Sequence, residues 1–107
     1  MTLRVAVVGL GRMGHFYAQT IAGLAPLVHL AAVADPDPAA RASLGDTPAS
    51  LLADPREALD QPGIDAVIIA TPTSTHASLV AAAARAGEAI FCEKPLALSV
   101  AETRAVL

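Results

Sequence analysis

The sequence predicts an α/β domain, a doubly wound parallel sheet in three layers, αβα. Three observations carry that expectation. Short apolar runs alternate with helix-period segments along the chain, the pattern of parallel strands joined by crossover helices. Hydrophobic residues make up 54% of the 107 residues, yet no apolar run reaches the roughly 18 residues of a membrane span. Strands covered by helices on both faces account for that apolar excess. The first apolar run, Leu3 to Val8, also closes on a glycine-rich turn, Gly9-Leu10-Gly11-Arg12-Met13-Gly14.

Each element follows from its local pattern. Leu3 to Val8 reads as the first strand. Met13, Phe16, Tyr17, Thr20, Ile21 and Leu24 then recur at helical spacing and predict a helix with one buried stripe. Val28 to Ala34 is the second strand. Pro38 to Leu44 is a short helix opened by proline and closed by Gly45. A brief third strand is expected over Ala49 to Leu52, and Pro55 to Leu59 forms a helical turn. Ala66 to Ala70 is a buried fourth strand. His76, Leu79, Val80, Ala83 and Ala84 share one face of the following helix, which stops at Gly87, and Ala89 to Cys92 is the fifth strand. Ser99 and Glu102 have the spacing of a capping box, so another helix is expected to begin about two turns before Leu107. That abrupt end predicts a domain cut from a longer protein.

The glycine turn carries a physical mechanism. The first glycine permits the tight turn, the second lets the backbone approach a pyrophosphate, and the third lets helix and strand pack closely. The free N–H groups and dipole of the helix N-terminus hold phosphates. An acidic residue about twenty positions on, at the end of the next strand, accepts from a ribose diol. Asp35 occupies that place. Gly9, Gly11, Arg12, Met13, Gly14 and Asp35 are therefore expected to form a dinucleotide site, arranged as in a Rossmann fold. NAD is expected over NADP, whose 2′-phosphate would meet the like charge of Asp35. Pro36 offers no backbone donor there, and no arginine follows immediately.

Composition narrows the other classes. The net charge is −3 and there are three aromatics, Phe16, Tyr17 and Phe91, so neither the basic face nor the stacking platform of a nucleic-acid binder is present. Four apolar residues between Arg4 and Gly9 are too few for a signal-peptide core. Cys92 is the single cysteine, so no internal disulfide can form and a cytoplasmic setting is expected. It reads as a small buried strand residue, and no metal site is expected. His15 and His29 read as structural.

In a parallel sheet, ligands bind beyond the carboxyl ends of the strands. Besides the glycine turn and Asp35, that edge holds Thr71 and Pro72, the helix-start His76, and Glu93-Lys94-Pro95. Thr71 and Pro72 are placed to meet the cofactor ribose. His76 reads either as a hydrogen-bonded residue packed against the fourth strand or as a lining of the nicotinamide end. Lys94 is the only lysine beside six arginines. An ammonium whose pKa can fall on partial burial suits proton transfer better than a guanidinium, so Lys94 is the expected catalytic residue. Glu93 could orient it, and Pro95 fixes the backbone after it.

Taken together, Val5 to Gly14, Val33-Ala34-Asp35, the run from Ile64 to Pro72, His76 and Glu93-Lys94-Pro95 resemble the N-terminal domain of the glucose–fructose oxidoreductase, inositol dehydrogenase and rhizopine catabolism (Gfo/Idh/MocA) family. The resemblance implies an NAD(P)-dependent dehydrogenase acting on the CH–OH group of a sugar, cyclitol or related alcohol, with Lys94 near the nicotinamide. It also implies a second, sheet-rich domain that supplies most substrate contacts and the interface of a homo-oligomer. A reading of another class is a non-catalytic nucleotide-binding or redox-sensing module.

Overall fold

The computed structural model of the chain describes residues 2–92. Glu93, Lys94, Pro95 and the Ser99–Glu102 capping box lie outside the described residues. The elements run β1 (Leu3–Val8), α1 (Arg12–Ala22), β2 (Val28–Ala34), α2 (Pro38–Ala42), β3 (Ser50–Leu52), α3 (Pro55–Leu59), β4 (Ala66–Ile69), a 3₁₀ turn (Thr73–Thr75), α4 (His76–Arg85) and β5 (Ala89–Cys92). The strands form one five-stranded sheet in the order β3-β2-β1-β4-β5, and every pairing is parallel. This is the Rossmann order. The chain leaves β1 to one side for β2 and returns to the other side for β4, so the crevice opens at their carboxyl ends.

Strand alternation sorts the core into two layers. On one face Val7, Leu30 and Val33 pack with Ala18 of α1, and Ala40 and Leu44 lie against them. On the other, Ala6, Val8, Ala32, Ala34, Val67 and Ile69 pack against Ala58 and Leu59 of α3 and Leu79 and Ala83 of α4. Many strand positions are alanine, which brings the helices close to the sheet.

Two helices carry the start signals their sequences imply. Asp37 caps α2 by accepting from the Ala39 amide at 2.9 Å, and Asp54 caps α3 by accepting from Arg56 at 2.9 Å. Each is followed by proline in the first turn. α2 ends at Ala42, two residues short of the expected Leu44. There the chain tightens into i→i+3 bonds, Leu44 N–H to Arg41 O and Gly45 N–H to Ala42 O.

The expected stripe on α1 is corrected. Its fully buried residues are Gly14 and Ala18, whereas Met13 is 47% and Phe16 57% exposed and Leu24 is exposed as well. Close approach of α1 to the sheet selects small residues for the contact line. The larger apolar side chains are displaced to its flanks. β5 also departs from the expectation of strands covered on both faces. Ala89, Ile90 and Phe91 are exposed and Cys92 is half-buried rather than buried; among the described residues β5 is the outermost of the five strands and pairs with β4 alone. Phe91 does gain an edge-on contact with Tyr17 of α1, ring centroids 5.6 Å apart.

Candidate dinucleotide site

A cavity of about 720 Å³ opens at the carboxyl edge of the sheet, within the size range of small-molecule sites. Its walls come from four strand ends: Gly9 and Gly11 after β1, Asp35 and Pro36 after β2, Asp54 to Arg56 after β3, and Ala70 to Pro72 after β4. Thr75, Ser78 and Leu79 complete it.

The three glycines differ in what they permit. Gly9 has φ +92°, and a Cβ there would lie 2.6 Å from the Ala70 carbonyl and 2.7 Å from the Thr71 nitrogen. Both the left-handed backbone and the close pass of β1 against β4 therefore require glycine. A Cβ at Gly14 would overlap the Gly9 carbonyl oxygen, so the third glycine seats α1 on the turn. Gly11 meets nothing within 4 Å. Its space is open on the cavity side, where a ligand's bulk can approach the backbone.

α1, like α4 and unlike α2 and α3, starts without a side-chain cap. Its N-cap is Gly11, with no side-chain cap and no acidic residue in the first turn. Helices leave their first N–H groups unpaired unless a side chain or a ligand meets them. Asp37 and Asp54 each take one such N–H in α2 and α3; no side chain caps the start of α1 at Arg12, Met13 and Gly14, an arrangement suited to an anion. The side chains of Arg12 and Met13 are exposed and Gly14 is buried.

Asp35 is held from two sides. One carboxylate oxygen accepts from the Leu10 amide at 2.7 Å and the other from the Asp37 amide at 2.8 Å. The glycine turn and the end of β2 are thereby tied together across the cavity. Arg41 Nη1 donates to the Asp35 carbonyl at 2.7 Å, a support that the sequence reading did not identify.

After β4, Thr75 Oγ1 lies 2.6 Å from Thr71 Oγ1 and 2.7 Å from the Pro72 carbonyl. His76 is 1% exposed, and its Nε2 stands 2.8 Å from the Thr71 carbonyl. That oxygen can only accept, so Nε2 carries the hydrogen. His76 is thus packed beneath the β4 tip, hydrogen-bonded to the Thr71 carbonyl. Of the expected site residues, the structure brings Gly9, Gly11, Asp35, Thr71 and Pro72 to one cavity; Lys94 and Glu93 lie outside the described residues. Asp54, Pro55, Arg56, Ser78 and Leu79 were not expected there. The first three lie just beyond the end of β3, and inspecting every strand tip would have found them. Elsewhere, His15 Nε2 lies 3.3 Å from the Ser43 carbonyl, and among the described residues no cluster of His, Cys, Asp or Glu could hold a metal ion. No helix among them is long and apolar enough to cross a membrane.

Comparison with known proteins agrees with this geometry. Residues 3–107 match the family described as oxidoreductase family, NAD-binding Rossmann fold. The chain is 46% identical over 108 residues to scyllo-inositol 2-dehydrogenase (NAD(+)) of Bacillus subtilis, covering 96% of this chain and 31% of that protein. It is 42% identical to inositol 2-dehydrogenase of Rhizobium meliloti, covering all of this chain and 32% of that one. Among solved structures, scyllo-inositol dehydrogenase from Lactobacillus casei with bound NAD(H) and scyllo-inositol superposes with a TM-score of 0.87 at 30% identity. That match covers 99% of this chain and 32% of the other. The chain thus spans about a third of the length of these relatives.

Proposed function

Because the chain belongs to the Gfo/Idh/MocA oxidoreductase family, as its NAD-binding Rossmann domain, we propose that it binds NAD(H) in preference to NADP(H) and serves the oxidation of a cyclitol or related secondary alcohol. The observation that carries this reading is the uncapped N-terminus of α1 facing a cavity that Asp35 also lines. The amides of Arg12, Met13 and Gly14 would hold the pyrophosphate, and Gly11 would leave room for it. Asp35 would accept from the adenosine ribose and oppose a 2′-phosphate. Thr71 and Pro72 would meet the ligand at the β4 tip, with His76 fixing Thr71 from below.

The alcohol substrate is suggested by the relatives named inositol 2-dehydrogenases. Since this chain spans about a third of their length, the substrate-facing half of the site is assigned to a further domain of a longer cytoplasmic protein that assembles as a homo-oligomer. When bound, NAD supplies the hydride acceptor at nicotinamide C4. Lys94, just after β5 in sequence, would take the hydroxyl proton on its neutral amine as the carbinol C–H hydride passes to the nicotinamide, with Glu93 orienting the side chain.

Turnover of a protein carrying this chain together with the remaining length tests the proposal. Lys94→Met should leave NAD affinity within a few-fold and lower turnover of an inositol by at least ~10²-fold, the lower end for general acid–base catalysis. Lys94→Arg should fail nearly as badly, since guanidinium does not readily exchange its proton. Normal turnover by the arginine variant would remove the proton-transfer role. NAD binding without oxidation of any polyol would favour a nucleotide-binding module instead.

A further inference from the structure

At the ends of α3 and α4 away from the cavity, a carboxyl group stands where an apolar side chain is usual. α4 closes on a left-handed glycine, Gly87 at φ +78°, and the Glu88 amide reaches back to the Ala83 carbonyl at 3.1 Å. In this helix ending the residue after the glycine frequently makes an apolar contact with the last turn. Glu88 takes that place. It is 8% exposed, and its Oε1 has no hydrogen-bond partner among the described residues. Asp60, the C-cap of α3, adds a like charge. Of the other charged groups on the surrounding elements, Arg85 on α4 and Glu57 on α3 are exposed, and Asp65 ahead of β4 accepts from the Arg4 amide at 2.8 Å. Among the described residues no ion pair joins any of them to Glu88.

One helical turn on each side links this group to the cavity. The Asp60 amide donates to the Arg56 carbonyl at 3.1 Å, and Arg56 lines the cavity. Ala83 lies one turn after Leu79 on α4, and Leu79 lines it too. Ala58, Leu59, Leu79 and Ala83 pack in one core cluster, so the two helices form a continuous wall. From this geometry we infer that Glu88 is a proton-operated latch on the α3–α4 wall, and that the dinucleotide binds more tightly when Glu88 is protonated than when it is ionised. The inference rests on the proposed cofactor reading. Protonated, the carboxyl is neutral beside Asp60 and the helix ends stay packed. Ionised, it is a buried charge against a like charge, a cost relieved when the helix ends part and admit water. Arg56 and Leu79 move with them. Burial, with Asp60 adding to it, raises the Glu88 pKa, so the change falls above the usual carboxylate range. Because coupling is reciprocal, NAD binding takes up a proton there.

The test is calorimetric titration of the chain with NAD at a series of pH values, from the usual carboxylate range to above neutrality, for the unsubstituted protein, Glu88→Gln and Asp60→Asn. Affinity of the unsubstituted protein should fall by about 5-fold as pH rises through the Glu88 pKa, the low end of coupling between sites. Glu88→Gln should keep the low-pH affinity throughout, and Asp60→Asn should move the fall to lower pH. Buffers of different ionisation enthalpy should show proton uptake by the unsubstituted protein in that window and none by Glu88→Gln. In amide NMR of the free chain, Arg56 and Leu79 should shift with the same midpoint and stay still in Glu88→Gln. Parallel affinity profiles for the unsubstituted protein and Glu88→Gln, or unmoved Arg56 and Leu79 amides, would overturn the inference while leaving the cofactor reading intact. Failure of NAD to bind the unsubstituted chain at any pH would overturn both.

Discussion

Gly11 and Gly14 stand three residues apart in one motif and fail differently when given a side chain. At Gly14 a methyl group collides with the Gly9 backbone, which cannot withdraw without moving α1. Gly14→Ala should therefore cost about 1–3 kcal/mol, as overpacking does, and lower Tm. At Gly11 the methyl enters open space; Gly11→Ala should leave Tm nearly unchanged and weaken NAD binding. Thermal melts paired with titrations separate the two. Asp35 carries both an expected ligand contact and two backbone ties. Asp35→Ala should lower NAD affinity about tenfold to a hundredfold, the value of a hydrogen bond to a charged group, and narrow the gap to NADP. Tighter NADP than NAD binding by the unsubstituted chain would contradict this. Away from the site, Glu88 is buried and its Oε1 has no hydrogen-bond partner. Burial, with the Asp60 charge adding to it, pushes its carboxyl above the usual range. The folded state thus holds this proton more tightly than the unfolded chain. The associated stability is full below the unfolded pKa and is lost as pH rises through the raised folded value. Glu88→Gln should raise Tm above that window by a few degrees, since each kcal/mol is worth roughly 4–8 °C in a domain of this size. Below the window it should change little, and melts across pH check both.

Helix starts differ in whether a side chain caps them. Asp37 and Asp54 each cap a helix start through one amide, and replacing either with alanine should cost about 1 kcal/mol, read as a lower denaturation midpoint. α1 has no such residue. This contrast was legible in the sequence, because Asp-Pro precedes both short helices and glycines precede α1. The burial of α1 was not. Helical periodicity finds which residues share a face, but Met13 and Phe16 lost the buried line to Gly14 and Ala18 through the closeness of helix and sheet, a tertiary constraint. β3 shows a second limit. With three residues, none of them buried, it gives a weak pattern, and the sequence does not mark the tip holding Asp54, Pro55 and Arg56 as a cavity wall. Likewise helical position alone is compatible with both readings of His76, and the 2.8 Å approach to the Thr71 carbonyl is a contact that the sequence does not display.

At the scale of the whole molecule, the strand order and the placement of the glycine turn, Asp35 and Thr71 along one edge follow from crossover connections and a strand order that reverses beside β1. These rules act on patterns that a single sequence displays, and the topology was accordingly readable. The central claim is that the edge where β1, β2 and β4 end is a dinucleotide site anchored on the uncapped start of α1. Amide NMR of the chain during titration with NAD tests it most directly. The account predicts saturable shifts largest at the Gly11, Arg12, Met13 and Gly14 amides, with accompanying shifts at Leu10, Asp37 and Thr71. Absence of saturable shifts, or shifts centred on the opposite edge around Asp65 and Glu88, would contradict it.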